Sequence, residues 1–434
     1  MEAILLAKST TPIIGWVAEL LGIIMEAVFR VTSSFGIINI GLCIIIFTII
    51  INIAMLPLTI KQQKSSKLMS VMQPEIQAIQ KKYKGKNDTE TAMKIQAETK
   101  AVQEKYGTSM VGGCLQTAIQ LPILFALYQV IIKIPSYVPT VKVYFERIAL
   151  SLQQQDNYIG LLGSFATKYK MPADKIDYHL ADNVIDLLYK FNPGDWTEVS
   201  NLFPALSKVL SENVPTIERM NSFLGINLAS NPFQGFMPNP AWIIPILAGL
   251  TQWYSTKLMT STQTGSANDE ANSVVQQMKT VNNVMPLMSV YFCFMFPAGV
   301  GLYWIASAVC RIIQQIIINK HLEKIDIDKL VEENLRKSNE KRAKKGLPLQ
   351  TINKNILEKA KQAESAGKEN EEKKREINAR QIKDSTEYYN KNAKPGSIAS
   401  RANMVAVYNA RTAEKKSGKK TKDQDGAKQE EENK

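Results

Sequence analysis

Four polar side chains sit in stretches that are otherwise apolar. Asn52 lies inside "IIFTIIINIAMLPLTIKQQKSSK", nine residues before Lys61, or roughly 13 Å along a helix at about 1.5 Å per residue. Arg311 lies nine residues before Lys320, at the same depth. Gln116 and Gln120, four apart and so on one helical face, fall in "GGCLQTAIQLPILFALYQVI". Spacings of three and four also put Trp304, Ser307, Ala308 and Arg311 on one strip, with an aromatic ring at one end and a cation at the other. Such a strip suits the wall of a wet cavity inside a membrane. The chemistry it offers is hydration and charge attraction rather than bond making. Each feature has a plainer reading: amides glue helices together, and a guanidinium snorkels to the interface. The guanidinium is harder to set aside, since one near mid-membrane costs about 2.5 to 3.5 kcal/mol even on the lenient insertion scale.

Catalytic constellations are nearly absent. There are two histidines, His179 and His321, no HExxH, no GxxxxGK loop, and no Ser or Cys placed beside a base. No catalytic residue, metal site or cofactor is expected. Cys43, Cys114, Cys293 and Cys310 lack paired spacing and read as small buried hydrophobes rather than a disulfide or zinc set.

The elements that must position these groups are long apolar runs. Five are candidates to cross a hydrocarbon core as helices: 36–60, 110–133 and 241–259, then 284–297 and 298–319, which share one long apolar stretch. The last two are divided at "FPAGVG", whose proline and glycines suit a tight turn. The expected fold is all-α and integral to a membrane. No cleavable signal is expected in residues 1–35, and Pro12 to Val31 place Ile13, Val17, Leu20, Leu21, Ile24 and Val28 on one face. That pattern suits a helix lying in the interface. Residues 61–109 read as a helical hairpin with arms Ser66 to Tyr83, interrupted by Pro74, and Thr89 to Tyr106. Residues 134–240 form a helical insertion, 260–283 a loop, and 320–434 a disordered basic tail rich in Lys, Glu, Asn and Gln. Lysine-rich flanks place the hairpin and tail in the cytoplasm, with the N-terminus and the insertion outside. The net charge of +13 suits nucleic acid, anionic lipids or a ribosome. A plainer role for the tail is to orient the chain.

Four stretches together carry a resemblance: "LPLTIKQQKSSKLMSVMQPEIQAIQKKYK" from the end of the first span, "GGCLQTAIQLPILFALYQVI" in the second, "WIIPILAGLTQWYSTKLM" in the third, and "FPAGVGLYWIASAVCRIIQQ" across the fourth and fifth. With them the chain resembles the YidC/Oxa/Alb membrane protein insertases, in the form without a large periplasmic domain, over roughly half its length. The resemblance implies five core helices around a hydrophilic groove, open to cytoplasm and lipid and closed to the outside. It also implies nascent membrane proteins as clients, action alone or with the Sec translocon, ribosome contact through the tail, and no nucleotide or small-molecule substrate. Asn52, Gln116, Gln120, Trp304, Ser307 and Arg311 would form the groove, with Pro74 and Tyr83 in the hairpin. The sequence departs from the family where an arginine usually stands five residues before Pro57: here it is Asn52. Arg311 occupies a position often held by threonine, Ala308 one usually held by asparagine, and Gln116 one where a proline commonly follows "GCL". The expectation is a groove cation relocated to Arg311, with Asn52 as its uncharged partner. A small-solute transporter or channel is the competing class, though no acidic residue stands in the spans to relay protons.

Overall fold

The computed structural model describes residues 11–351, apart from gaps at 86–87, 109, 234, 236–237, 262–272, 324–326 and 345. Side chains at 109–119, 260–283 and 323–327 are outside the described residues. A second unit, Gln362–Lys434, is described only at a few helical positions between 373 and 384.

The chain is built of helices. α1 spans Pro12–Ser34 and α2 Ile40–Lys82; α3 covers Thr89–Tyr106 and α4 Met110–Ile132. Six helices follow: α5 (Ile134–Tyr137), α6 (Pro139–Leu152), α7 (Tyr158–Lys168), α8 (Ala181–Leu188), α9 (Pro193–Leu202) and α10 (Ser207–Asn221). A two-stranded antiparallel ribbon pairs β1 (Ser222–Phe223) with β2 (Ile226–Asn227). α11 (Ile243–Ser261), α12 (Ser273–Met295), α13 (Ala298–Glu323) and α14 (Ile327–Lys344) complete it.

Among the described residues, three helices are long and apolar enough to cross a membrane: Pro12–Ser34, Ile40–Lys82 and Ala298–Leu322. α4 and α12 add the shorter apolar stretches Gln120–Ile132 and Val284–Met295. α11 packs against both α12 and α13 at close range, because glycine stands at each crossing. A Cβ on Gly249 would fall 2.3 Å from Val290 Cγ2, and one on Gly301 would fall 2.4 Å from Ile244 Cγ2. A larger residue at either glycine would displace the facing side chain or the helix that carries it.

Four expectations change. α1 is not a helix with one apolar face. It buries Ala18, Leu21, Met25, Val28 and Phe29 against the bundle and exposes Ile13, Trp16, Leu20 and Ile23 on the other side. Its charges are met locally: Glu26 accepts from Arg30 Nε at 2.5 Å and from Thr140 Oγ1 at 2.6 Å. Second, α2 runs unbroken for 43 residues, about 64 Å, through Pro57 and Pro74. Proline inside a helix forfeits one hydrogen bond. At Pro74 the turns on either side are held by Leu68, Val71, Met72 and Ile76, which pack in one small core with Tyr106 and Val331. Third, α12 begins at Ser273, well before the apolar run, since nothing in "SVVQQMKTVNN" breaks a helix. Fourth, the segment after Lys320 is not disordered from its start. α13 continues to Glu323, and α14 folds onto α3 through the fully buried Val331, with Asn334 Nδ2 donating to Tyr106 O at 3.0 Å. Its composition is that of a solvated tail, but a few apolar residues suffice when a partner surface already exists.

The hairpin arm α3 starts at an Asp88 cap, whose Oδ2 accepts from Thr91 N at 2.9 Å, and ends at Gly107 with φ +68. Tyr83 closes the hairpin by donating to Glu98 Oε1 at 2.7 Å. Beside Pro74, the buried Glu75 accepts from Lys105 at 2.8 and 3.0 Å and from Tyr106 Oη at 3.1 Å.

α5 to α10 form a subdomain at the opposite end of α2. Its center is aromatic: Phe191 meets Phe165 at 4.5 Å and Trp196 at 4.9 Å, and Phe145 meets Tyr189 at 5.9 Å. Asp186 is buried inside it, with Oδ1 accepting from Ser136 at 2.7 Å and Oδ2 4.0 Å from Lys133 Nζ. Burial pushes its carboxyl up to about 6, against the pull of Ser136 and Lys133.

Candidate functional site

The long helices change character along their length. In α2, Ile40, Cys43, Ile44 and Phe47 are buried in the main apolar core, whereas Ile51, Asn52, Met55, Thr59 and Gln63 line a cavity. α13 does the same: Ala298, Val300 and Leu302 are buried near its start, and Ser307, Arg311, Gln314 and Gln315 face the cavity. In α4, Ala126, Leu127, Val130 and Ile131 belong to the core and Gln120 to the cavity. α11 contributes Gln252, Ser255 and Met259. One end of the bundle is therefore an apolar plug. Toward the hairpin, the same four helices enclose a polar cavity of about 200 Å³.

The wall is organised by amides. Gln63 Nε2 donates to Gln315 Oε1 at 2.8 Å, both residues being buried, and Gln315 Nε2 passes on to Asn319 Oδ1 at 2.7 Å. Gln314 Nε2 donates to the Asn52 carbonyl at 2.9 Å. These bonds tie α13 to α2. Arg311 Nη2 donates to Gln252 Oε1 at 2.9 Å, which ties α13 to α11. Among the described lining residues Arg311 is the one charged group, and its partner is an amide dipole rather than a carboxylate. Most of the five N–H donors of the guanidinium are left for an incoming acceptor or water. The cavity is thus a recess lined largely by amides and hydroxyls that carries a guanidinium and, among its described lining residues, no carboxylate.

Asn52, Gln120, Ser307 and Arg311 share this cavity. Asn52 is not the partner of Arg311; its own amide donates back to Thr48 O at 2.8 Å. Trp304 is not on the wall: it packs against the main core, its ring 6.4 Å from that of Phe296, and Ala308 is fully buried. Successive residues turn by about 100°, so Trp304 and Ala308 stand about 60° and 100° round from Ser307 and face the core. The side chain of Gln116 lies outside the described residues. Pro74 and Tyr83 belong to the hairpin. The sequence reading missed Gln252, Gln314, Gln315, Gln62 and Gln63. Gln314 and Gln315 follow Arg311 by three and four residues, which is signal enough to place them on its face. Gln252 is a lone amide in an apolar span and had the same signal as Asn52. Among the described residues no cluster of His, Cys, Asp and Glu is arranged to hold a metal ion.

A family model described as "60Kd inner membrane protein" matches residues 31–177 and 200–325. The chain is 28% identical over 292 residues to the "Membrane protein insertase YidC" of Oceanobacillus iheyensis, which covers 67% of this chain and 79% of that one. It is 27% identical over 280 residues to the "Membrane protein insertase MisCA" of Bacillus subtilis, covering 64% and 70%. With the "Membrane protein insertase YidC" of Fusobacterium nucleatum the figures are 28% over 282 residues, 65% and 87%.

Proposed function

The chain belongs to the 60Kd inner membrane protein family, that of the YidC insertases, and from that premise we propose that it inserts and folds nascent membrane proteins through the Arg311 cavity. The supporting observation is a polar recess carrying one cation, built into otherwise apolar helices. From Gln63 to Asn52 the cavity runs eleven residues along α2, roughly 16 Å, which is about half the hydrocarbon thickness. A hydrophilic client tail entering it has only the remaining apolar plug to cross. Arg311 attracts acidic groups in that tail, and the amides replace part of its hydration. Partitioning of the client's apolar helix into lipid then drives the step, so no nucleotide or cofactor is needed.

In this reading the protein is a multi-pass protein of the bacterial plasma membrane. The hairpin and the tail face the cytoplasm; α1, which packs on α5 and α6 as well as on α4, does not cross in this reading, so the N-terminus and the α5 to α10 subdomain face outside. The Sec translocon is a partner for some clients. The basic tail contacts the ribosome and anionic lipids; truncation after Gln350, which spares α14, should then weaken ribosome co-sedimentation, most visibly at low salt. Arg311 carries the cation that the family keeps in the first span, at the position held here by Asn52.

The test is insertion of an acidic-tailed client by Arg311→Ala and Asn52→Arg single and double variants. Loss in Arg311→Ala and recovery in the double variant support relocation; normal insertion by Arg311→Ala refutes it. Rescue of a strain depleted of its insertase, set against solute flux into liposomes, tests the function itself. Flux without rescue would make the protein a transporter.

A further inference from the structure

The ribbon β1–β2 is fastened to the ends of the long helices. Asn39, which caps α2, donates from Nδ2 to Ser222 O at 2.8 Å, and the ring of Phe223 packs where a Cβ on Gly41 would lie, 2.5 Å away. Just beyond the ribbon, Gly299 N donates to Leu228 O and Ala298 N to Ser230 O, both at 2.9 Å, so the first turn of α13 holds the same segment. The ribbon therefore lies in the plane where α2 and α13 begin.

Its turn is Leu224-Gly225, with φ +52 and φ +79. A two-residue turn with both φ values positive favours Asn-Gly or Gly-Gly, because a side chain in the left-handed region meets its own backbone. Leucine is the wrong residue for the conformation, and at 87% exposed it is also the wrong residue for water. The second turn at this end repeats the pattern. Phe35 is 77% exposed beside Gly36 at φ +76, followed by Ile37, just before the Asn39 that binds the ribbon. Two turns anchored on one helix end each raise a bulky apolar residue next to a positive-φ glycine. Farther along α2, Ile49, Ile50 and Ile53 are exposed as well.

We propose that Leu224, with Phe35 and Ile37, is a lipid-interface anchor that inserts into the acyl-chain boundary of the leaflet where α2 and α13 begin. The occupant is lipid rather than protein because the residues crown the ends of two membrane-length helices, α2 and α13, at the level where a bilayer's acyl boundary would meet them. The anchor is independent of the insertase reading. It fixes the height of the ribbon, and with it the α5 to α10 subdomain, relative to the bilayer.

The test places a benzophenone amino acid at position 224, and separately at position 35, in the full chain in vesicles of phosphatidylethanolamine and phosphatidylglycerol. After photolysis, adducts are identified by mass. Lipid adducts at 224 should exceed those at the exposed Ser211 by about tenfold or more, the partition expected for one buried leucine side chain, and should approach those at Ile53. Should the residue at 224 disturb folding, position 35 gives the same readout. Adducts to protein alone, or a lipid yield at both positions no higher than at Ser211, overturn the proposal.

Discussion

Replacing Arg311 by glutamine removes the one charge among the described lining residues and keeps an amide that can still meet Gln252. A cavity of about 200 Å³ brings a client carboxylate to about 5 Å from the guanidinium; with an effective dielectric of about 20 to 40, the attraction is about 1.5 to 3 kcal/mol. If crossing of the tail limits the rate, Arg311→Gln slows an aspartate-bearing tail ten- to about a hundredfold. A client with asparagine in place of those aspartates has no such attraction and should insert at an unchanged rate. The assay is protease protection of the tail in vesicles holding wild type or Arg311→Gln, run with both clients. The charge has a cost of its own, so Arg311→Gln should also melt at a higher temperature in detergent. Equal slowing of the two clients would refute the reasoning, because it would mean that Arg311 shapes the cavity rather than attracting charge. No slowing of either would refute it as well.

Gln252→Leu takes the partner from Arg311 and should destabilise the bundle by about 1.5 to 3 kcal/mol, the value of a hydrogen bond to a charged group. Combining it with Arg311→Leu should restore much of that loss, and a double-mutant cycle in detergent melts checks both. In the hairpin, Glu75→Ala leaves Lys105 buried without its carboxylate and should cost about 3 to 5 kcal/mol locally. Hydrogen exchange should show it as lost protection in α3 and α14 with the bundle unaffected. Asp186 gives a pH signature. Its folded value of about 6 lies above the ordinary 3.8, so the folded state holds more protons than the unfolded state between these values. Its contribution is complete below about pH 4 and is lost as pH rises to about 6, by up to about 3 kcal/mol. Asp195 has the opposite sign. Burial raises its carboxyl, but Lys168, Tyr169 and the Asn192 amide together hold it below 3.8, so its contribution is lost as pH falls. The difference between wild-type and Asp186→Asn melting curves across that range isolates Asp186, and a flat difference would contradict the assignment.

The helices were legible where the pattern is local. The Thr89–Tyr106 arm agrees at both ends because an Asp cap and a left-handed glycine mark them. Breaks were misjudged where a local rule met tertiary packing, as at Pro74, and burial was misjudged where both faces of a helix are apolar, as in α1. The equal depth of Asn52 and Arg311 was countable from flanking lysines, and both line the cavity. That they are not partners was not countable, since depth fixes position along the membrane normal but not rotation about it.

By itself the sequence determined that the chain is helical and membrane-embedded, which stretches are apolar, and that a few polar groups stand at a common depth. These follow from residue type and helical rise, which act along one dimension. The tertiary structure decided what faces what. It turned Trp304 and Ala308 into the core, gave Arg311 to Gln252, paired Gln63 with Gln315, and folded α14 onto the hairpin. Each of those outcomes depends on the rotation and approach of helices distant in sequence, which glycine crossings such as Gly249 and Gly301 set and no local pattern encodes.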